Sequence, residues 1–162
     1  MTDLALHFDN AAWSADLAIL NADLATDDGL RTAVIISLFT DRRALADDVL
    51  PVGDDRRGWW GDCANDDPND RIGSRRWLLV REKATEAVAV RARDYDREAL
   101  AWLVADGIAA AVTVECSILP VDAGRRSAAL HSTIRITRPS GARLAIDYLW
   151  DAESVRILDE AA

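Results

Sequence analysis

The feature that most constrains this chain is the two-residue alternation running through its last third. Val112, Val114, Cys116 and Ile118 alternate with Ala111, Thr113, Glu115 and Ser117. Leu130, Ser132, Ile134 and Ile136 alternate with Ala129, His131, Thr133, Arg135 and Thr137. Leu144, Ile146, Tyr148 and Trp150 alternate with Ala145, Asp147 and Leu149. A strand points successive side chains to opposite faces, so this pattern reads as a sheet with one buried and one wet face. Pro139-Ser140-Gly141 is turn chemistry between the second and third runs. The reading is a three-stranded antiparallel meander.

Upstream the period changes. Leu30, Val34 and Leu38 share a face with Ala33, behind an Asp28 suited to capping free backbone N–H groups, which places a helix near 28–40. A second helical stretch near 84–106 falls in two pieces, with Asp94 or Asp96 capping the second and Gly107 ending it. At the N-terminus Leu4–Phe8 and Trp13–Ile19 alternate around an Asp9-Asn10 turn signal, the pattern of a hairpin. The fold class is α+β: an N-terminal β-hairpin, helices near 28–40 and 84–106, and the C-terminal meander. With 162 residues, half of them hydrophobic, the chain is a natural size for one domain over 1–162.

Residues 41–83 differ in character. Ten acidic and nine basic side chains nearly balance, among Pro51, Pro68, four glycines and three of the six tryptophans (Trp59, Trp60 and Trp77). That is too aromatic for disorder. We read residues 41–76 as a long ordered loop pinned by tryptophan, and such loops are usually functional.

Composition excludes some partners. The net charge is −9, whereas nucleic-acid binding needs a basic surface to release counterions and an anionic membrane attracts polybasic segments. The first thirty residues hold six aspartates and no lysine or arginine. Lys83 is the only lysine; all other basic residues are arginines, which suit protein interfaces through their planar fork. Cys63 and Cys116 form no disulfide framework or CxxC motif, and Cys116 sits in a core pattern. Met1-Thr2-Asp3-Leu4 lacks the basic start of a signal peptide, so a soluble protein made in the cytoplasm is expected.

Catalytic signatures are missing: no glycine-rich phosphate loop, nucleophile elbow or zinc spacing. His7 and His131 lie in strand patterns, and the aspartate pairs 27/28, 47/48, 54/55 and 66/67 read as caps and loop charges. The run from Asn65 to Asp70 lacks the ligand register of a calcium loop. No cofactor or metal site is expected. The doublets Arg42-Arg43 and Arg56-Arg57, set among aspartates, suit a salt-bridged interface better than a phosphate site. Adjacent Trp59 and Trp60 cannot easily share one core, so one packs inward and the other anchors a partner.

These residues resemble a known family. Asp23 to Ala44, read with Arg57-Gly58-Trp59-Trp60-Gly61-Asp62, Gly73-Ser74-Arg75-Arg76-Trp77-Leu78-Leu79 and Tyr95 to Leu103, is similar to the Mu-like phage baseplate protein family. The likeness covers about residues 23–107 in detail and the strand-rich C-terminus in outline. It implies a relative of the sheath initiators of contractile tails: a virion or prophage baseplate protein, made in the bacterial host cytoplasm, with tail-sheath and baseplate-wedge proteins as partners. One departure stands out. The wider class often grips the wedge with a Glu-Pro-Arg element, and this chain has Thr40-Asp41-Arg42-Arg43 instead.

The functional expectation is a non-catalytic assembly protein with partner-binding residues Arg42, Arg43, Arg57, Trp59, Trp60 and Leu149. Self-association is compatible with it. Leu149 enters as part of the 143–150 strand, expected to be an open sheet edge that accepts a strand from a sheath subunit. The alternatives are a phage cell-wall hydrolase using paired carboxylates and a small intracellular protein-binding module.

Overall fold

The computed structural model describes residues 3–9, 14–24, 26–27, 30–65, 71–121, 127–150 and 155–158. Six short strands open the chain: β1 (Asp3–Leu4), β2 (Leu6–Asp9), β3 (Ser14–Leu17), β4 (Ile19–Leu20), β5 (Asp23–Leu24) and β6 (Thr26–Asp27). They pair β1 with β6, β2 with β3 and β4 with β5, all antiparallel. The expected hairpin is therefore the β2–β3 unit of a larger arm. Its Asn10 and Trp13 lie outside the described residues. A second hairpin turns at Asn21 and Ala22, both in the left-handed region at φ 53° and 63°. That conformation matches the twist of a two-residue hairpin turn.

Helix α1 (Leu30–Phe39) follows. The proposed cap Asp28 lies outside the described residues. Thr32 Oγ1 donates to the Leu4 carbonyl at 3.1 Å and ties the arm to this helix. Helices α2 (Glu86–Ala99) and α3 (Ala101–Ala105) come after the long loop. Their division differs from the sequence expectation. The break falls at Leu100, and α2 runs unbroken through Asp94 and Asp96. The N-terminal cap of α2 is Thr85, whose side chain accepts from Val88 N. Gly107, at φ 70°, ends α3 as expected.

The C-terminal sheet contains β7 (Ala111–Leu119), β8 (Ala129–Thr137), β9 (Arg143–Trp150) and β10 (Val155–Leu158), in the spatial order β10-β9-β8-β7. The three-stranded meander is thus extended by a fourth strand. This corrects the expectation for Leu149: it pairs with His131 of β8 on one side and Arg156 of β10 on the other. Its backbone is interior, and the sheet edges are β7 and β10. The short Val155–Leu158 segment gave too little alternation to be read as a strand, so β9 looked like the last one.

The inward face follows the alternation. Val114, Leu130, Ile134, Ile136, Ile146 and Tyr148 are buried, and Leu30, Val34, Leu38, Leu100 and Leu103 of the helices cover most of them. Leu79, Val88, Ala89 and Ala92 cover Leu130, with half-buried Cys116 and Ile118 beside them. Each fully buried leucine or isoleucine stabilises the fold by about 1.5–3 kcal/mol. Thr113, Glu115, His131, Arg135 and Asp147 alternate with these core positions and face the other way, where Arg135 pairs with Glu115 and His131 Nε2 lies 3.1 Å from Asp147 Oδ1. Among the described residues, no helix is long and apolar enough to cross a membrane.

Candidate functional site

The loop after α1 is held by its backbone before any side chain acts. Arg42 N donates to Ser74 O at 3.0 Å and Ser74 N donates to Thr40 O at 2.9 Å, a parallel bridge that closes the loop at its base. Gly73 makes this closure possible. Its φ is +104°, and a Cβ there would lie 2.4 Å from the Thr40 carbonyl oxygen, so no other residue fits. Trp77 is buried beside Ala44 and Leu78, and its indole N–H donates to the Arg42 carbonyl at 2.8 Å.

Two consecutive arginines, in a 3-10 turn over Arg75–Leu79, lock that base to the rest of the protein. Arg75 reaches both oxygens of Asp48 at 2.8 and 2.9 Å and Glu98 Oε2 at 2.8 and 3.0 Å, and its guanidinium lies 4.9 Å from the Tyr95 ring. Arg76 points inward. Its Nη1 donates to Asp96 Oδ2 at 2.5 Å and to Ser132 Oγ at 2.9 Å. Tyr148 O–H and Ser132 O–H also donate to Asp96 Oδ2, at 2.7 and 3.2 Å. Arg76 is 1% exposed and Asp96 0%. The rings of Tyr148 and Trp150 lie 4.8 and 5.2 Å from the guanidinium carbon. Burial pushes the Asp96 carboxyl above its ordinary range, and the Arg76 charge and the two hydroxyl bonds oppose that push. One network therefore joins the loop's end, α2, β8 and β9.

On this mounting the loop exposes an aromatic pair. Trp59 and Trp60 touch with ring centroids 5.4 Å apart, and they are 39% and 79% exposed. Trp59 folds back over Gly61, where a Cβ would fall 2.2 Å from the ring. Arg57, two residues before Trp59, has φ 49°; it pairs with Asp41 at 2.7 Å and stacks 4.6 Å from the Trp77 ring. Arg43 donates to the Arg57 carbonyl at 3.3 Å and packs against Gly58. Arg56 donates to the carbonyls of Leu45 and Ala46.

Arg43, Arg57, Trp59 and Trp60 are all exposed on this loop, with Arg43 bonded to Arg57 and Trp59 touching Trp60. Arg42 belongs to its base, with Glu98 Oε1 3.9 Å from its Nη1. Leu149 is elsewhere, half-buried on the outward face of the sheet. Neither tryptophan enters the core; the inward-packing tryptophan of this loop is Trp77. Sequence reasoning missed the Arg76–Asp96–Ser132–Tyr148 network. A signal for it exists, because Asp96 follows Ala89 and Ala92 and precedes Ala99 at helical spacing on the buried face of α2. Of the aspartate pairs, Asp48 is neutralised by Arg75, while Asp28, Asp66 and Asp67 lie outside the described residues, as does most of the run from Asn65 to Asp70.

The geometry suits recognition by contact. Exposed aromatic side chains on a fixed backbone bury large area at low entropic cost when a partner covers them. The model of a family described as phage protein GP46 matches residues 30–143. The baseplate protein gp46 of Escherichia phage Mu is 47% identical over 149 residues, covering 91% of this chain and 95% of its own. The Mu-like prophage FluMu protein gp46 of Haemophilus influenzae is 41% identical over 117 residues, covering 72% of this chain and 77% of its own.

Proposed function

The chain belongs to the phage protein GP46 family, and on that premise we propose that it is a structural protein of a phage tail baseplate, carried by a virion or encoded in a prophage. The observation that carries this reading is the likeness to the Mu baseplate protein along nearly the full length of both chains. The role is assembly rather than catalysis. The carboxylates of Asp48 and Asp96 are each held by an arginine, which speaks against their use as the paired acids of a wall hydrolase.

In the finer reading the protein joins the baseplate wedge to the sheath of a contractile tail and helps start sheath assembly. The surface of Arg43, Arg57, Trp59 and Trp60, based on Arg42, anchors it within the baseplate, in place of a Glu-Pro-Arg grip. Leu149 contributes a side chain on the outward sheet face. The sheath is received at β7. This nine-residue edge strand contains no proline, and no strand pairs with its outer side among the described residues. Strand addition there satisfies backbone groups with little demand on side-chain identity, as suits a repeating subunit.

The test is sheath polymerisation on purified baseplates. Baseplates assembled without this protein should fail to nucleate sheath, and adding it back should restore nucleation. Equal polymerisation with and without it contradicts the reading.

A further inference from the structure

A second feature of the molecule is a matched pair of surfaces that the baseplate reading leaves unused. The first is the N-terminal arm. Asp16 and Asp23 are exposed on it together with Leu17 and Leu24, and Ile19 is 73% exposed. Residues 1–30 contain no lysine or arginine, so nothing basic within that segment offsets the acidic charge. The second is a groove of about 440 Å³ where the 3-10 turn of Arg75–Leu79 leads into α2. Its wall is apolar, with Leu79, Val88, Leu130 and Trp150. Its rim carries Arg81 and Lys83, both exposed, and no carboxylate among the described residues pairs with either. The acid between them, Glu82, is taken by Arg91.

We propose that the acidic, apolar arm of one copy docks in the basic-rimmed groove of a second copy, head to tail. The surfaces complement each other in charge and in apolar character. Exposed aliphatic side chains gain by entering an apolar groove, and the rim cations meet aspartates instead of water. The proposed occupant is the arm of another molecule. The arm leaves the N-terminal end of α1. The C-terminal residue of that helix, Phe39, meets Tyr148 at a ring separation of 5.2 Å, one inward step along β9 from Trp150 in the groove wall. The arm leaves the opposite end of this ten-residue helix, about 15 Å from Phe39. A head-to-tail contact of this kind uses two different patches and generates a ring if the rotation closes and a filament if it does not. It does not depend on the Trp59–Trp60 surface or on the baseplate role.

Sedimentation velocity of the full-length protein over a range of concentration and salt tests this. The wild type should associate beyond a dimer as concentration rises, and less so at high salt. An arm variant (Asp16→Lys with Asp23→Lys) and a rim variant (Arg81→Glu with Lys83→Glu) should each associate at least about tenfold more weakly, a change of about 1.4 kcal/mol. Mixing the two variants in equal amounts should restore assembly, because the reversed arm then meets the reversed rim. A wild type that stays monomeric up to about 1 mM, where even weak specific contacts are populated, overturns the proposal. So do variants that associate like the wild type, or a mixture that fails to recover. Circular dichroism of each variant identifies any that lost its fold, and Ile19→Asp then serves as the replacement arm variant.

Discussion

The guanidinium of Arg76 and the carboxylate of Asp96 form an ion pair of 2.5 Å with both side chains buried, and it connects the end of the tryptophan loop to the inside of the sheet. A buried pair costs desolvation on both sides, so its presence is weak evidence of stability but strong evidence that neither partner tolerates losing the other. Arg76→Met should destabilise the protein by about 3–5 kcal/mol by leaving Asp96 without its cation. The double change Arg76→Met with Asp96→Leu should cost less than the sum of the single changes. Denaturant unfolding of the four proteins measures the coupling, and additive costs would show that the two residues act independently.

Asp96 also gives the fold a pH dependence with a definite sign. Burial raises its folded pKa above the unfolded value of about 3.9. The folded state then holds the proton more tightly than the unfolded chain, so this contribution to stability is complete below the unfolded pKa. It is lost as pH rises through the folded pKa. Asp96→Asn has no proton to lose. Wild type should therefore lose stability relative to Asp96→Asn as pH rises above about 4, read from unfolding midpoints across the acid range. A relative gain would mean that Arg76 and the hydroxyls outweigh burial.

The outer edge of β7 can be tested with proline. Successive residues of a strand point their N–H groups to opposite sides, so Glu115→Pro and Cys116→Pro remove donors from opposite edges. One of the two breaks the ladder to β8 and should lower stability. The other leaves that ladder intact; where it folds, it should enter baseplates and fail to nucleate sheath. If the folded variant nucleates sheath normally, the sheath does not add a strand at β7.

The legible part of the fold was the part written in short periods. Leu130, Ile134 and Ile136, and Ile146 with Tyr148, were placed inward by alternation alone, and Gly107 closed its helix as its conformational freedom allows. Two things were hidden. β10 is four residues long and pairs with only half of β9, so nothing in the alternation of β9 revealed that Leu149 was flanked on both sides. Asp96 read as a cap and Arg76 only as part of the family motif, because their burial depends on each other across 20 residues of chain. The tryptophan pair was recognised as unusual, but which tryptophan turned inward depended on Gly73 closing the loop base, and so on tertiary contact with Thr40.

In the proposed role, a stiffly mounted Trp59–Trp60 surface holds this protein in its baseplate. Trp60→Ala should change stability by no more than about 0.5 kcal/mol, because the side chain is largely exposed. Gly61→Ala should displace the Trp59 ring that lies over it. The direct measurement is the amount of each variant incorporated into baseplates assembled in cells lacking the native copy, alongside its unfolding midpoint. Trp60→Ala should fold in near-native fashion with a severalfold or greater loss of incorporation, and Gly61→Ala should show a similar loss. Both variants entering baseplates at the wild-type level, with their folds intact, would contradict that role.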